Sequence, residues 1–392
     1  MRKFLKWVAR LLALAVVIGA VGFFGFLPAY VEDTSNNVIE HAPYPVSDRA
    51  AALHKTLVVG DWHADPLLWS RDLSQRGTRG QVDVPRLIEG NVALQVFTAV
   101  TKSPAGQNYD SNSAEAFDNI TLLAVGQLWP LRTWTSLRER AIWQAEKLHK
   151  VEAASDGRLK IIKTAADLEA VLAAKAGGEA VVGGILGIEG AHPLEGDLAN
   201  LDPIFDAGHR VYGLQHFFDN ELGGSLHGEA DTGLTEFGRA VVTELARRPV
   251  VIDLAHSSQQ VARDVLAMTD MPLVVSHGGL HGHCPVKRNY PDELMREIAA
   301  TGGVIGMGYW AEVACDDITP TGIARMIVKA IETVGADHVS LGSDYDGSVE
   351  TAFDTSELAA LTSALLDAGV SEDQIRKVMG DNMVRVLRAR LR

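Results

Sequence analysis

The chain has 392 residues, 36 of them basic and 50 acidic, giving a formal net charge of −14. With 47% hydrophobic and 22% charged residues it can bury a large core, which argues against global disorder. No basic stripe occurs beyond the first ten residues, so nucleic acid is a poor partner and the acidity reads as a solubility feature.

Arg2, Lys3, Lys6 and Arg10 precede an uncharged apolar run from Leu11 to Leu27. That run exceeds a signal-peptide core and approaches the roughly 20 residues that span a bilayer. Leu27-Pro28-Ala29 makes a poor cleavage site. Residues 1–31 therefore read as a membrane anchor, with a cytoplasmic N-terminus and the remainder extracytoplasmic, periplasmic in a bacterium. A long cleaved signal peptide is the competing reading and exports the chain equally. Residues 32–54 are polar, carry Pro43 and Pro45, and read as a linker to a catalytic domain over 55–392.

Eight short apolar runs follow: Thr56–Gly60, Val92–Thr98, Val181–Ile188, Arg210–Leu214, Val250–Leu254, Pro272–Ser276, Gly303–Met307 and His338–Gly342. Most are continuous rather than alternating, as in parallel strands buried on both faces. Helical spacing fills the gaps, notably at Ser257–Met268, Asp292–Thr301, Thr319–Val334 and Thr355–Ala368. Eight strand–helix units predict a (β/α)8 barrel behind one transmembrane helix. A doubly wound sheet competes less well, because no GxGxxG follows the first run. The stretch between the second and third runs, around residues 100–150 with Trp129, Trp134 and Trp143, is too long for a plain connection. It reads as an insertion serving as a lid, a substrate wall or a partner surface.

Barrel active sites lie at the C-terminal ends of the strands. There the sequence places His63 and Asp65 after the first run, Glu189 after the third, and His216, His256 and His277 after the next three. Asp344 follows the last. A single such residue is usually structural, but six strand ends bearing imidazole or carboxylate would satisfy one another around a cation. Without thiolates the set suits zinc or a similar divalent ion, and it exceeds what one tetrahedral site needs. Two ions sharing one carboxylate use the set best. Cys284 and Cys315, outside any CxxC motif, read as one disulfide or two buried thiols.

His63-Ala64-Asp65, Gly187-Ile188-Glu189-Gly190-Ala191-His192, Leu234-Thr235-Glu236-Phe237-Gly238, Ile252-Asp253-Leu254-Ala255-His256, Ser276-His277, Lys287-Arg288-Asn289 and Gly342-Ser343-Asp344-Tyr345-Asp346-Gly347 occur in this order. Together they resemble the membrane dipeptidase family, zinc peptidases on an amidohydrolase-like barrel, across about residues 54–390. The resemblance implies two Zn2+, with His63 and Asp65 on one ion, His256 and His277 on the other, and Glu189 bridging them. It implies His216 at the oxyanion, Asp344 as the proton carrier acting with a hydroxide shared by the ions, and Arg288 on the substrate's free carboxylate. It also implies a Cys284–Cys315 disulfide. Asp346 could be mistaken for the catalytic carboxylate, but only Asp344 directly follows the strand. Ala64 stands where the family commonly has Asn, and Gly278-Gly279-Leu280-His281-Gly282-His283 is unusually rich in glycine and histidine. His281 and His283 are therefore decoys or extra metal contacts.

The expected activity is dipeptide hydrolysis, with a small dipeptide and the membrane as partners, no nucleic acid, and a homodimer left open. A specialised peptide-derived substrate is the alternative, and an inactive tethered binding protein a third reading. The third is disfavoured because all five ligands stand. His63-x-Asp65 rather than His-x-His argues against a mononuclear deaminase, and Glu189 in the bridging role argues against a carbamylated lysine.

Overall fold

A computed structural model describes residues 1–315 and 317–391. Helix α1 (Arg2–Val21) buries none of its residues and passes through a π turn, Gly22–Phe26, into α2 (Leu27–Ser35). Together they form one helix long and apolar enough to cross a membrane. The stretch expected as a linker lies against the barrel. Glu32 and Asn36 are buried, Val38 bridges to Thr351, and the Tyr44 hydroxyl donates to Ala352 O at 3.0 Å. Helix α3 (Asp48–His54) follows, its N-terminus capped by the Ser47 hydroxyl.

Nine parallel strands follow: β1 Val59–Ala64, β2 Val92–Val100, β3 Leu159–Ile161, β4 Val182–Glu189, β5 His209–Gly213, β6 Val251–Asp253, β7 Val274–Val275, β8 Val304–Met307 and β9 Val339–Leu341. They run in the order β2-β1-β9-β8-β7-β6-β5-β4, and β2–β4 pairing closes an eight-stranded barrel. All eight expected runs are barrel strands, while β3 hangs on the outer edge of β4. The first strand lies later than its apolar run, so Asp61 and His63 fall inside β1 rather than after it. Helices occupy the expected gaps at Gln259–Leu266, Asp292–Ala300, Pro320–Val334 and Leu358–Asp367. Thr319 caps Pro320–Val334, and Gly335, at φ 87°, ends it in a conformation that glycine adopts without strain.

The strand residues Leu94, Val96, Ile185, Val211, Val251 and Val304 are all buried and share one cluster with Met383 and Leu387 of the C-terminal helix. The insertion carries α5 (Asn119–Gly126) and α6 (Leu137–Ala154), which follow α4 (Val84–Glu89) in the chain. It stays attached through the buried Arg140 guanidinium, which donates to Thr133 O and Thr101 O at 2.7 Å each. Cys284 is bonded to Cys315, their Cα atoms 5.4 Å apart. This ties the segment after β7, which holds Arg288, to the one after β8, which holds Trp310.

Candidate metal-dependent active site

At the C-terminal mouth of the barrel, β1 supplies His63 and the turn after it Asp65, while β4 ends on Glu189. His216, His256, His277 and Asp344 come from the segments after β5, β6, β7 and β9. Every one of these residues is buried. Glu189 Oε1 lies 3.4 Å from His63 Nε2, 3.3 Å from His256 Nε2 and 3.5 Å from His277 Nε2. Its other oxygen is 3.2 Å from His216 Nε2. His63 Nε2 also stands 3.3 Å from Asp65 Oδ2 and 3.7 Å from Asp344 Oδ1.

The backbone is specialised to bring these groups together. His256 and Asp344 hold left-handed φ values of 64° and 61°. Gly342 passes so close to β7 that a side chain there would collide with the Ser276 carbonyl. Buried carboxylates serve as local frames. Asp61 Oδ1 accepts from His63 N at 2.9 Å and Ser343 N at 3.1 Å, and Asp253 Oδ1 accepts from Ala255 N at 2.9 Å and Ser276 N at 2.8 Å.

The donor set fits a cation. His256 Nε2 and His277 Nε2 face each other at 2.9 Å and converge on a single carboxylate oxygen, an arrangement that suits neutral imidazoles turned toward a shared cation. Charge points the same way. Burial raises Glu189 well above the ordinary carboxylate range, with the Asp65 charge adding to it, and burial likewise lifts Asp344 to about 8. It drives His256 and His277 well below the ordinary histidine range. For His63 burial opposes the charged form, but Asp65 and Glu189 outweigh it and raise the ring to about 10. A divalent cation resolves the conflict, letting the carboxylates ionise while the imidazoles stay neutral. Candidate ion-holding triads are His63–Glu189–His277, Glu189–His216–His256 and His63–Asp65–Asp344, all sharing one volume.

Arg288 reaches the same cavity. Its Nη2 donates to His277 O at 2.9 Å and lies 3.4 Å from His256 Nε2, and its guanidinium carbon sits 5.9 Å from the Trp310 ring centre. Its buried Nε has no hydrogen-bond partner among the described residues, which leaves capacity for an incoming anion. The cavity is about 370 Å3, and its wall includes Asp65, Glu189, His216, Arg288, Trp310 and Asp344.

Over residues 47–391 the sequence matches the membrane dipeptidase family, peptidase family M19. The chain belongs to that family. A dipeptidase, ataJ of Aspergillus terreus, is 26% identical over 339 residues, covering 79% of this chain and 76% of that protein. Dipeptidase aclJ of Aspergillus oryzae is 33% identical over 215 residues, covering 53% of this chain and 51% of its own. Among solved structures, the M19 metallopeptidase dipeptidase AC aligns with a TM-score of 0.71 at 27% identity, over 86% of this chain and 99% of its own. A Rhodobacter sphaeroides metallopeptidase, bound to a phosphinate mimic of L-Ala-D-Ala, aligns at 0.68 and 26% over the same shares. The chain is thus an M19 metallopeptidase on a TIM-like barrel.

Of the eight residues singled out in this M19 chain, Asp65, Glu189, His216, His256, Arg288 and Asp344 line one cavity, and His63 and His277 lie against Glu189 behind its wall. The two aspartates after β9 part company. Asp344 lines the cavity, whereas fully buried Asp346 accepts from Gln81 N at 2.7 Å and Val82 N at 3.3 Å and pairs with Arg71. His281 is exposed and His283 half-buried, and neither joins a candidate ion group among the described residues. His192 is buried but stacks on Phe218, 4.5 Å between ring centres.

Several supporting groups were not foreseen. The Ser276 hydroxyl lies 2.8 Å from His277 Nδ1 and 3.3 Å from His63 Nδ1, orienting two of the clustered rings at once. The Thr98 hydroxyl contacts Asp65 and lies 3.3 Å from His63 Nε2. The insertion contributes Tyr109, whose hydroxyl accepts from Trp310 Nε1 at 3.0 Å, so it walls the substrate cavity.

Proposed function

We propose that this chain hydrolyses dipeptides with a free C-terminal carboxylate at a dinuclear zinc centre, held outside the membrane by its N-terminal helix. His63 and Asp65 would hold one ion and His256 and His277 the other, with Glu189 a ligand available to both. The observation that carries this reading is the convergence of three imidazole Nε2 atoms on one Glu189 oxygen, with Arg288 on the same cavity wall.

When bound, the ions supply Lewis acidity for the scissile carbonyl and lower the pKa of water. Asp344, buried 3.7 Å from His63 Nε2, would take a proton from the attacking water and return it to the leaving amine. Burial pulls His216 down to about 4, so the ring is neutral, and its Nε2 faces the same volume to meet the developing oxyanion. The Arg288 fork takes the carboxylate and thereby sets the distance from the free C-terminus to the bond that is cut. Stacking Arg288 near Trp310, which Tyr109 holds, keeps that distance fixed.

The test is metal content together with hydrolysis of L-Ala-L-Ala and L-Ala-D-Ala by the full chain in detergent. About two zinc ions per chain with turnover of either dipeptide is the expected result. Failure to retain any divalent metal after reconstitution with zinc would overturn the proposal.

A further inference from the structure

Helix α5 carries apolar side chains around its whole circumference, at Ile120, Leu122, Leu123, Ala124 and Val125, yet only Ile120, Ala124 and Gly126 of its residues are buried. A helix without a polar face is normally enclosed by protein or by lipid. No charged residue occurs from Asn119 to Leu131. The turn that follows the helix extends the apolar surface, with Leu128 68% exposed and Leu131 74%, and Phe117 and Leu122 about half exposed beside it.

Leu128 is the telling residue. Its N donates to Val125 O at 3.0 Å and Trp129 N donates to Ala124 O at 2.8 Å, the paired bonds that close a helix on a left-handed residue. Leu128 holds that position at φ 56°, where glycine or asparagine would be less strained. In water this leucine costs twice, through its backbone and through its exposed side chain, and a lipid environment removes the second cost. Its place in the fold agrees. A Cβ at Gly126 would stand 3.3 Å from Pro28 Cγ and 3.8 Å from Phe23 Cε1, so the C-terminal end of α5 packs at the level of Phe23. Phe23 lies four residues inside the end of the Leu11–Leu27 run, about 6 Å along a helix. Apolar faces of interfacial helices enter a bilayer to a similar depth, roughly 5–10 Å.

We infer that the Gly126–Leu131 turn and the exposed side of α5 enter the lipid leaflet beside the barrel, giving the catalytic domain a second attachment to the membrane. The inference rests on the proposed role of the N-terminal helix as a membrane anchor. Lipid is the occupant because the surface is uncharged and continuous with that helix, which it meets at Phe23 and Pro28. One helix alone would leave the barrel free to swivel about a single attachment. The insertion that carries the turn also walls the catalytic cavity through Tyr109, so seating it in lipid fixes the height and tilt of the mouth above the membrane.

The two native cysteines are bonded to each other, so a single introduced cysteine can carry an environment-sensitive dye. The test places the full chain in lipid nanodiscs, a single chain per disc, with and without spin-labelled phosphatidylcholine. The dye sits at Leu128→Cys or Leu131→Cys in the turn, at Val17→Cys in the apolar helix, or at Asp373→Cys, an exposed position in the short helix Glu372–Arg376. The expected result is emission from both turn positions shifted to the blue of that at Asp373→Cys. Both should also lose fluorescence to the spin label, as Val17→Cys does. Two turn positions guard against one substitution disturbing the fold. Turn emission that matches Asp373→Cys overturns the inference. So does a blue shift without quenching, because protein rather than lipid then covers the turn. If Val17→Cys escapes quenching, the anchor reading fails by itself, and quenching at the turn still decides the second attachment.

Discussion

Glu32, near the end of the N-terminal apolar helix, pairs with Arg71 of the barrel at 3.0 Å, and both side chains are almost wholly buried. Arg71 continues to Asp346, whose carboxylate fixes the backbone of Gln81 and Val82 two residues from Asp344. Arg79 adds a second contact to Glu32 at 3.3 Å. The N-terminal apolar helix is thus joined by buried charge to the turn that carries the proposed proton carrier.

Glu32→Ala removes one of the two carboxylates on buried Arg71, leaving it Asp346 alone, and takes the contact from Arg79. Removing one partner of such a pair costs about 3–5 kcal/mol. A lower melting temperature and a reduced kcat are expected for the full chain in detergent. Unchanged melting would show that the network does not brace the turn.

Arg288→Ala is expected to raise KM for L-Ala-L-Ala by about 100-fold, equivalent to roughly 2.7 kcal/mol of lost charge-assisted hydrogen bonding. Zinc content should stay at the wild-type level. Arg288→Lys should recover only part of the loss, because a point charge does not reproduce the two-pronged fork. Steady-state kinetics with metal analysis checks both, and an unchanged KM would remove Arg288 from the carboxylate role.

The Cys284–Cys315 bond closes a 31-residue separation. The double variant Cys284→Ser, Cys315→Ser should lose about 3–4 kcal/mol of stability on loop-closure grounds. Because the bond joins the segments holding Arg288 and Trp310, KM should rise more than kcat falls. Denaturant titration and kinetics on the same preparation separate the two effects.

Lys147 of α6 donates to Leu67 O and Trp69 O at 2.5 Å each, and burial pulls its ammonium down to about 7. The folded chain releases this proton near neutrality, whereas the unfolded chain keeps it up to the ordinary value of 10.5. Between those values the unfolded state binds more protons, so this group makes stability climb as pH rises from 7 toward 10. Lys147→Met should flatten that climb, read as the difference between two melting-temperature profiles.

The barrel was legible because its strands are buried on both faces and so appear as unbroken apolar runs that stop at polar strand ends. Where the site intrudes, this signal fails. Asp61 and His63 sit within β1 as buried polar residues, and their polarity disguised the strand's true end. Edge strand β3 is three residues long with Lys160 exposed, too short and too polar to register. The clustered imidazoles and carboxylates announced themselves through residue type and position. The hydroxyls of Thr98 and Ser276 did not, since Thr and Ser occur in strands for many reasons and only their contacts reveal a task. Asp346 was set apart from Asp344 by its place in the turn, while its bond to Arg71 needed the three-dimensional arrangement.

His256 and Asp344 both occupy left-handed backbone conformations, which cost an ordinary side chain about 1 kcal/mol or more. Selection for durability alone would put glycine at these two places. Asp344→Gly should therefore produce a chain that melts at a higher temperature and hydrolyses nothing. The mouth of the barrel is a place where robustness and turnover oppose each other, and a descendant that lost its substrate would be expected to drift toward glycine there first.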